Sequence, residues 1–170
     1  FDDVAALRSI VNPWPGIVIA VNRAGLAYWP KIDHWVTLHP EFLADWMLAR
    51  NGPNRPETAV TWCQKDHPGA RVDVLARSLP CTGSSGLFAA RIALHILGCS
   101  HVVLAGMPID DGAHFYDADG VRSGPTFSGY RPEWLKAQRN EFKGRVRSLS
   151  GWTAMRLGKP DAEWLSGAAG

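Results

Sequence analysis

The sequence predicts an α/β domain built on a mostly parallel sheet. Three observations lead there. Short apolar, β-branched runs of strand length recur along the chain: Gly16-Ile-Val-Ile-Ala-Val, His34-Trp-Val-Thr-Leu-His and His101–Ala105. Segments with helical spacing or helix-end signals stand between them. At least one run is continuously apolar, as a strand buried on both faces requires.

Taken in order, Asp2–Ile10 reads as a short helix whose N-terminal acids complement its dipole. Asn12-Pro-Trp-Pro-Gly breaks it, and Gly16–Val21 forms the first strand. Asn22-Arg-Ala-Gly turns the chain into a short helix over Leu26–Trp29, stopped by Pro30. His34–His39 is the next strand, closed by Pro40. Glu41–Arg50 is amphipathic, with Phe42, Leu43, Trp46 and Met47 at helical spacing. A Pro/Asn/Gly loop follows, then short strands at Thr58–Trp62 and Val72–Leu75 joined by a polar turn. A helix is expected over Leu87–Leu97 and a strand over His101–Ala105. Met107–Tyr130 has little periodicity and is long for a passive connection, which favours function or mobility. Pro132–Val146 reads as a helix with Pro in its first turn, and Arg145-Val-Arg-Ser-Leu-Ser-Gly as its exposed end. Residues 150–170 read as a packing segment, with a helical piece near Asp161–Ser166 that lays Trp152 and Trp164 on the body.

The chain's 170 residues suit one domain, 1–170, with a real core. It begins at Phe1, so a first strand upstream is allowed for. No apolar run approaches the ~20 residues that span a bilayer, and no signal-peptide pattern is visible. A net charge of +2 with interspersed signs gives no basic face for a nucleic-acid partner. Cys63, Cys81 and Cys99 form an odd set without a Cys-x-x-Cys pair, as expected of reduced thiols in a cytoplasmic protein. No Cys/His spacing suits zinc. A homo-oligomer is left open.

Ligands of parallel α/β sheets bind outside the carboxyl ends of the strands. Asn22 and Arg23 follow one strand, His39 and Glu41 a second, and Asp110 the last. Thr82, Gly83, Ser84, Ser85 and Gly86 open a helix, where free N–H groups suit a phosphate or carboxylate. Simple N-capping by Ser84 or Ser85 explains the same residues equally well. His39 can act as an acid/base or orient a ligand. His95, on an apolar helix, reads as packing. Asp110, Asp111, His114, Asp117 and Asp119 crowd one loop, but no spacing matches an EF-hand and no metal is assigned. Tyr116 and Tyr130 bracket that loop, where a phenol can donate to a leaving phosphate.

Ser84-Ser-Gly-Leu, an apolar helix, Leu97-Gly98, a strand and Ala105-Gly-Met-Pro-Ile-Asp together resemble a pattern in bacterial sialyltransferases of glycosyltransferase family 42. Related 6-hydroxymethylpterin diphosphokinase MptE-like proteins share it. Val18-Ile-Ala-Val-Asn22 and Asp33–His39 fit the order that precedes it, so the resemblance spans about residues 16–116. It implies a Rossmann-like three-layer sandwich that binds a nucleotide or nucleotide sugar, CMP-type on the sialyltransferase side. Asn22 would then meet the phosphate or ribose, Ser84, Ser85 and Gly86 the phosphates or base, and Asp110 the base or ribose. The glycine-rich turn before the first helix is absent. No His follows His114, although those sialyltransferases place their catalytic histidine later. His39, His114 or Tyr130 would therefore carry the chemistry. The expected function is a nucleotide-dependent, glycosyltransferase-like enzyme acting on a small-molecule nucleotide donor and an unidentified acceptor. A non-catalytic nucleotide-binding module and ATP-dependent pyrophosphoryl transfer are the alternatives.

Overall fold

The computed structural model describes residues 2–28, 30–50, 60–112, 117 and 127–167. It is mixed α/β, with one parallel sheet of four strands and another of two. The chain divides into two compact units, Pro15–Cys99 and Phe1–Trp14 with Ser100–Gly170.

In the unit Pro15–Cys99, strands β1 (Ile19–Val21), β2 (His34–Val36), β3 (Val60–Cys63) and β4 (Val74–Leu75) lie side by side in sequence order, all parallel. Successive strand residues face opposite ways, and the core follows that alternation. Val36 packs with Trp62, Phe88, Ala89 and Ile92, whereas its neighbour Trp35 packs with Ala20, Ile32 and Leu43. Helix α4 (Ser85–Arg91) thus covers one face, and α3 (Leu43–Arg50) contributes to the other.

Short helix α2 (Ala24–Ala27) follows β1 and comes very close to the sheet. A Cβ on Gly25 would lie 2.3 Å from Trp35 Cε2, so only glycine fits there. Carbonyls of α2 and of the segment just after it are gathered by buried Arg50, which donates to Gly25 O, Tyr28 O and Pro30 O at 2.6, 2.7 and 3.0 Å. Orphan carbonyls at a helix end need such donors, and a guanidinium fork supplies several at once.

The predicted helix over Leu87–Leu97 starts two residues earlier, at Ser85, and widens into a π-type turn over Ile92–Ile96. Gly98, at φ +69°, ends it. His95 is exposed rather than packed, because the widened turn brings Ile92, Ala93 and Leu94 inward instead. The helix predicted from Glu41 is preceded by a 3₁₀ turn at Pro40–Phe42, with Pro40 at the opening position where no N–H is needed, and α geometry begins at Leu43.

The second unit holds α1 (Asp2–Ile10), β5 (Val102–Leu104), α5 (Arg131–Ala137), β6 (Val146–Ser148), α6 (Gly151–Leu157) and α7 (Ala162–Leu165). Where the spacing predicts helix through Val146, a π-type turn over Gln138–Phe142 follows α5. Lys143, at φ +47°, then stops the helix. Val146–Ser148 is therefore a strand, paired in parallel with β5. Helix α6 is likewise absent from the sequence reading, whereas the piece near Asp161–Ser166 is present as α7. Asp161 caps α7 by accepting from Trp164 N at 2.8 Å, and Arg147 Nη1 donates to the same carboxylate at 2.7 Å. Those contacts, Trp164 N–H first, hold the Asp161 carboxyl below its usual range. Trp164 is buried beneath them, with the Arg147 guanidinium 5.0 Å from its ring centre. No helix among the described residues is long and apolar enough to cross a membrane.

Candidate functional site

Residues just past the carboxyl ends of β1 and β2 are joined by a short chain of hydrogen bonds. Asn22 leaves β1 at φ +50°, a left-handed conformation that Asn tolerates better than most side chains. Its N–H donates to Val36 O at 3.1 Å, and its O accepts from the buried Trp35 indole at 2.8 Å. The Asn22 backbone is thereby fixed on β2. Thr37 Oγ1 donates to Asn22 Oδ1 at 2.9 Å and accepts from His39 N at 2.9 Å. Its one hydroxyl proton is spent on Asn22 Oδ1, so the Asn22 amide turns its N–H groups away from Thr37.

Helix α4 is tied to the same edge. Ser85 Oγ, buried, accepts from Leu38 N at 3.3 Å. Ser84 Oγ accepts from Leu87 N at 3.2 Å and is the N-cap. The capping reading of the two serines is thus realised for Ser84. The hydroxyl of Ser85 performs a different task, joining α4 to the end of β2. Gly83, at φ +90°, makes the turn into the helix. Buried Arg91 reaches back to Pro80 O at 3.0 Å and to Thr82 O at 3.3 Å, anchoring the loop before α4. Thr82 itself is exposed.

Beside this edge lies a cavity of about 130 Å³ lined by Leu38, Cys63, Gln64, Lys65 and Cys81. Leu38 follows β2, Gln64 and Lys65 follow β3, and Cys81 belongs to the loop that Arg91 anchors. Exposed Lys65 puts a positive charge at the cavity. Burial pushes the Cys63 thiol up, so it lines the wall as a neutral group at pH 7. All three cysteines are free.

His39 and Glu41 are both exposed, with His39 Nδ1 3.3 Å from Glu41 Oε1. The carboxylate favours the tautomer with a proton on Nδ1, which makes Nε2 the acceptor nitrogen of the neutral ring. Phe42, half-exposed, lies 6.3 Å from the His39 ring.

Among the residues expected from sequence, Asn22, His39, Ser84, Ser85 and Gly86 gather at this edge together with Gly83. Arg23 stands exposed at the start of α2. Asp110 and Tyr130 belong to the other compact unit. There Asp110 Oδ1 accepts from Gly112 N at 3.2 Å, while Tyr130 is half-buried with its ring 6.1 Å from Phe127. His114, Tyr116 and Asp119 lie outside the described residues. No cluster of three or more His, Cys, Asp or Glu side chains suited to a metal occurs among the described residues.

Sequence reasoning missed Thr37, Gln64, Lys65 and Cys81. A β-branched Thr inside a strand reads as core, and Gln64-Lys65 reads as an ordinary polar turn. One signal was available: each follows a strand or precedes a helix, where the strand-end rule already places ligands. The chain matches no family model, no curated protein and no solved structure.

Proposed function

We propose that this chain is a nucleotide-dependent transferase of Rossmann-like, three-layer architecture whose donor is a nucleotide sugar. One observation carries the reading. Asn22, Thr37, His39, Gln64 and Lys65 follow the carboxyl ends of three adjacent parallel strands, and Ser85 is hydrogen-bonded into the same edge. The cavity that adjoins them has the size of one small ring and combines apolar, amide and ammonium groups, a mixture typical of small-molecule sites.

In this reading the side-chain N–H groups of Asn22 and the Lys65 ammonium meet the donor phosphate and stabilise the charge that grows on it. His39, oriented by Glu41, takes the proton from the acceptor hydroxyl. The acceptor oxygen bonds to the anomeric carbon as the bond from that carbon to the phosphate oxygen breaks. The electron pair leaves with the nucleotide, and the proton goes to His39 Nε2.

A non-catalytic binding module is the second reading: of the residues expected to carry the chemistry, His39 alone is described at this edge, and it is exposed. A thermal-shift panel of CMP, CDP, UDP, GDP, ATP and NAD, each with and without magnesium, tests both readings. Saturation a hundredfold above the dissociation constant contributes about 2.7 kcal/mol. A selective shift with CMP or CDP, followed by release of nucleotide from the matching nucleotide sugar, supports the transferase. A shift without turnover supports the binding module, and a magnesium-dependent shift with ATP alone supports pyrophosphoryl transfer. No shift with any of them rejects the site.

A further inference from the structure

In the unit formed by Phe1–Trp14 and Ser100–Gly170, one carboxylate oxygen sits in a small, well-made seat. Asp3 Oδ2 accepts from Gly106 N at 2.7 Å and from Ser150 Oγ at 2.6 Å. Gly106 lies two residues past the end of β5, and Ser150 two residues past the end of β6, its parallel neighbour. The seat thus occupies equivalent positions at the carboxyl ends of two paired strands.

Its two donors are held by contacts that do not involve Asp3. Thr153, fully buried, donates from Oγ1 to Met107 O at 2.6 Å and from its N–H to Pro108 O at 3.2 Å. Its hydroxyl also lies 2.8 Å from that of the buried Ser148. Leu149 N donates to Leu104 O at 3.0 Å. The segments that carry Gly106 and Ser150 are therefore fixed to each other beneath the seat. Ser150 precedes α6 in a capping position, yet its hydroxyl does not cap that helix and turns to Asp3 instead. Gly106 is exposed, at φ +68°, with open space where a side chain would stand.

The occupant is held differently. Helix α1, which carries Asp3, buries none of its residues. A preorganised pair of donors filled by a carboxylate on a shallowly packed helix has the form of an anion site with an internal plug. We propose that Gly106 N–H and Ser150 Oγ form an oxyanion-binding site, suited to a phosphate group, which Asp3 occupies and from which an external oxyanion displaces it.

The test uses inorganic phosphate on the full chain, with thermal shift and amide hydrogen exchange as readouts. Asp3→Ala should bind phosphate saturably and at least about tenfold more tightly than the unsubstituted protein, because the internal competitor is gone. Adding Ser150→Ala to that variant should abolish the response. Asp3→Asn, which keeps the size of the side chain and removes its charge, should fall between the two and covers a failure of Asp3→Ala to fold. In the unsubstituted protein, saturating phosphate should speed exchange of the α1 amides, whereas equal ionic strength from chloride should not. Absence of a saturable response in Asp3→Ala and Asp3→Asn overturns the proposal. So does a response that survives Ser150→Ala, or α1 exchange that phosphate leaves unchanged.

Discussion

Thr37 Oγ1 donates to Asn22 Oδ1 at 2.9 Å and so locks together the residues that follow β1 and β2. Because the same oxygen accepts from His39 N, one hydroxyl sets both the face that Asn22 presents and the start of the His39 segment. Thr37 has no exposed surface. Thr37→Val keeps the shape and removes both bonds. Leaving partners unsatisfied costs about 1–3 kcal/mol, which urea denaturation would read as a lower midpoint at unchanged slope. Nucleotide affinity should fall with it by about tenfold or more. Unchanged affinity would remove Thr37 from the site.

Gly25→Ala reverses an ordinary expectation. Replacing glycine inside a helix usually stabilises by roughly 0.5–1 kcal/mol. Here the new methyl would sit 2.3 Å from Trp35 Cε2, and Trp35 is fully buried and bonded to Asn22 O. Overpacking of this kind costs about 1–3 kcal/mol, so the melting temperature should drop. A rise would mean that α2 is free to move away from the sheet.

The fold was legible where local pattern and tertiary outcome agree. Ile19–Val21 is a strand because an apolar β-branched run can be buried on both faces, and the sequence shows the run directly. The strand at Val146–Ser148 was hidden, because Arg145 and Arg147 on either side of Val146 suit an exposed helix end just as well. What decides it is pairing with β5, a partner more than forty residues away, together with the left-handed Lys143 that stops the preceding helix. The site divides in the same way. Asn22, His39 and Ser85 could be read from the strand-end rule and from helix-opening residues. The strand-end rule reaches Thr37 and Lys65 only once the strand ends are known to fall at Val36 and Cys63, and the sequence alone runs the first of these strands on to His39 and stops the second at Trp62.

Stability should depend on pH through His34. Its Nδ1 accepts from Trp62 Nε1 at 3.1 Å, which requires a neutral ring nitrogen. Burial pulls the imidazole below its ordinary value, with Asp33 opposing. The folded state thus binds protons less readily than the unfolded chain. This stabilising contribution is full above the unfolded value of about 6.5, shrinks as pH falls below it, and levels off once the folded ring protonates. Melting temperature should decline between pH 7.5 and pH 5, and His34→Gln should flatten the decline. Equal slopes would assign the effect to other groups.

Cysteine reactivity offers a check on the cavity. Cys63 is buried with its thiol pushed up, whereas Cys81 is half-buried on the same wall. Reactivity follows access and thiolate character, so iodoacetamide should label Cys81 well before Cys63, as peptide mass mapping would show. A nucleotide that fills the cavity should slow the Cys81 reaction. Labelling of Cys81 at the same rate with saturating nucleotide would place that nucleotide elsewhere.

The carboxyl edge of β1, β2 and β3, with the head of α4, is proposed to hold a nucleotide. A titration of the ¹⁵N-labelled chain with CMP, followed through its amide resonances, tests it most directly. A nucleotide at this edge should give saturable shifts at Asn22, Thr37–His39, Gln64, Lys65 and Thr82–Gly86, all with one dissociation constant, and those shifts should be lost in Thr37→Val. Shifts confined to other segments, or none at concentrations where a nucleotide sugar is turned over, would contradict it.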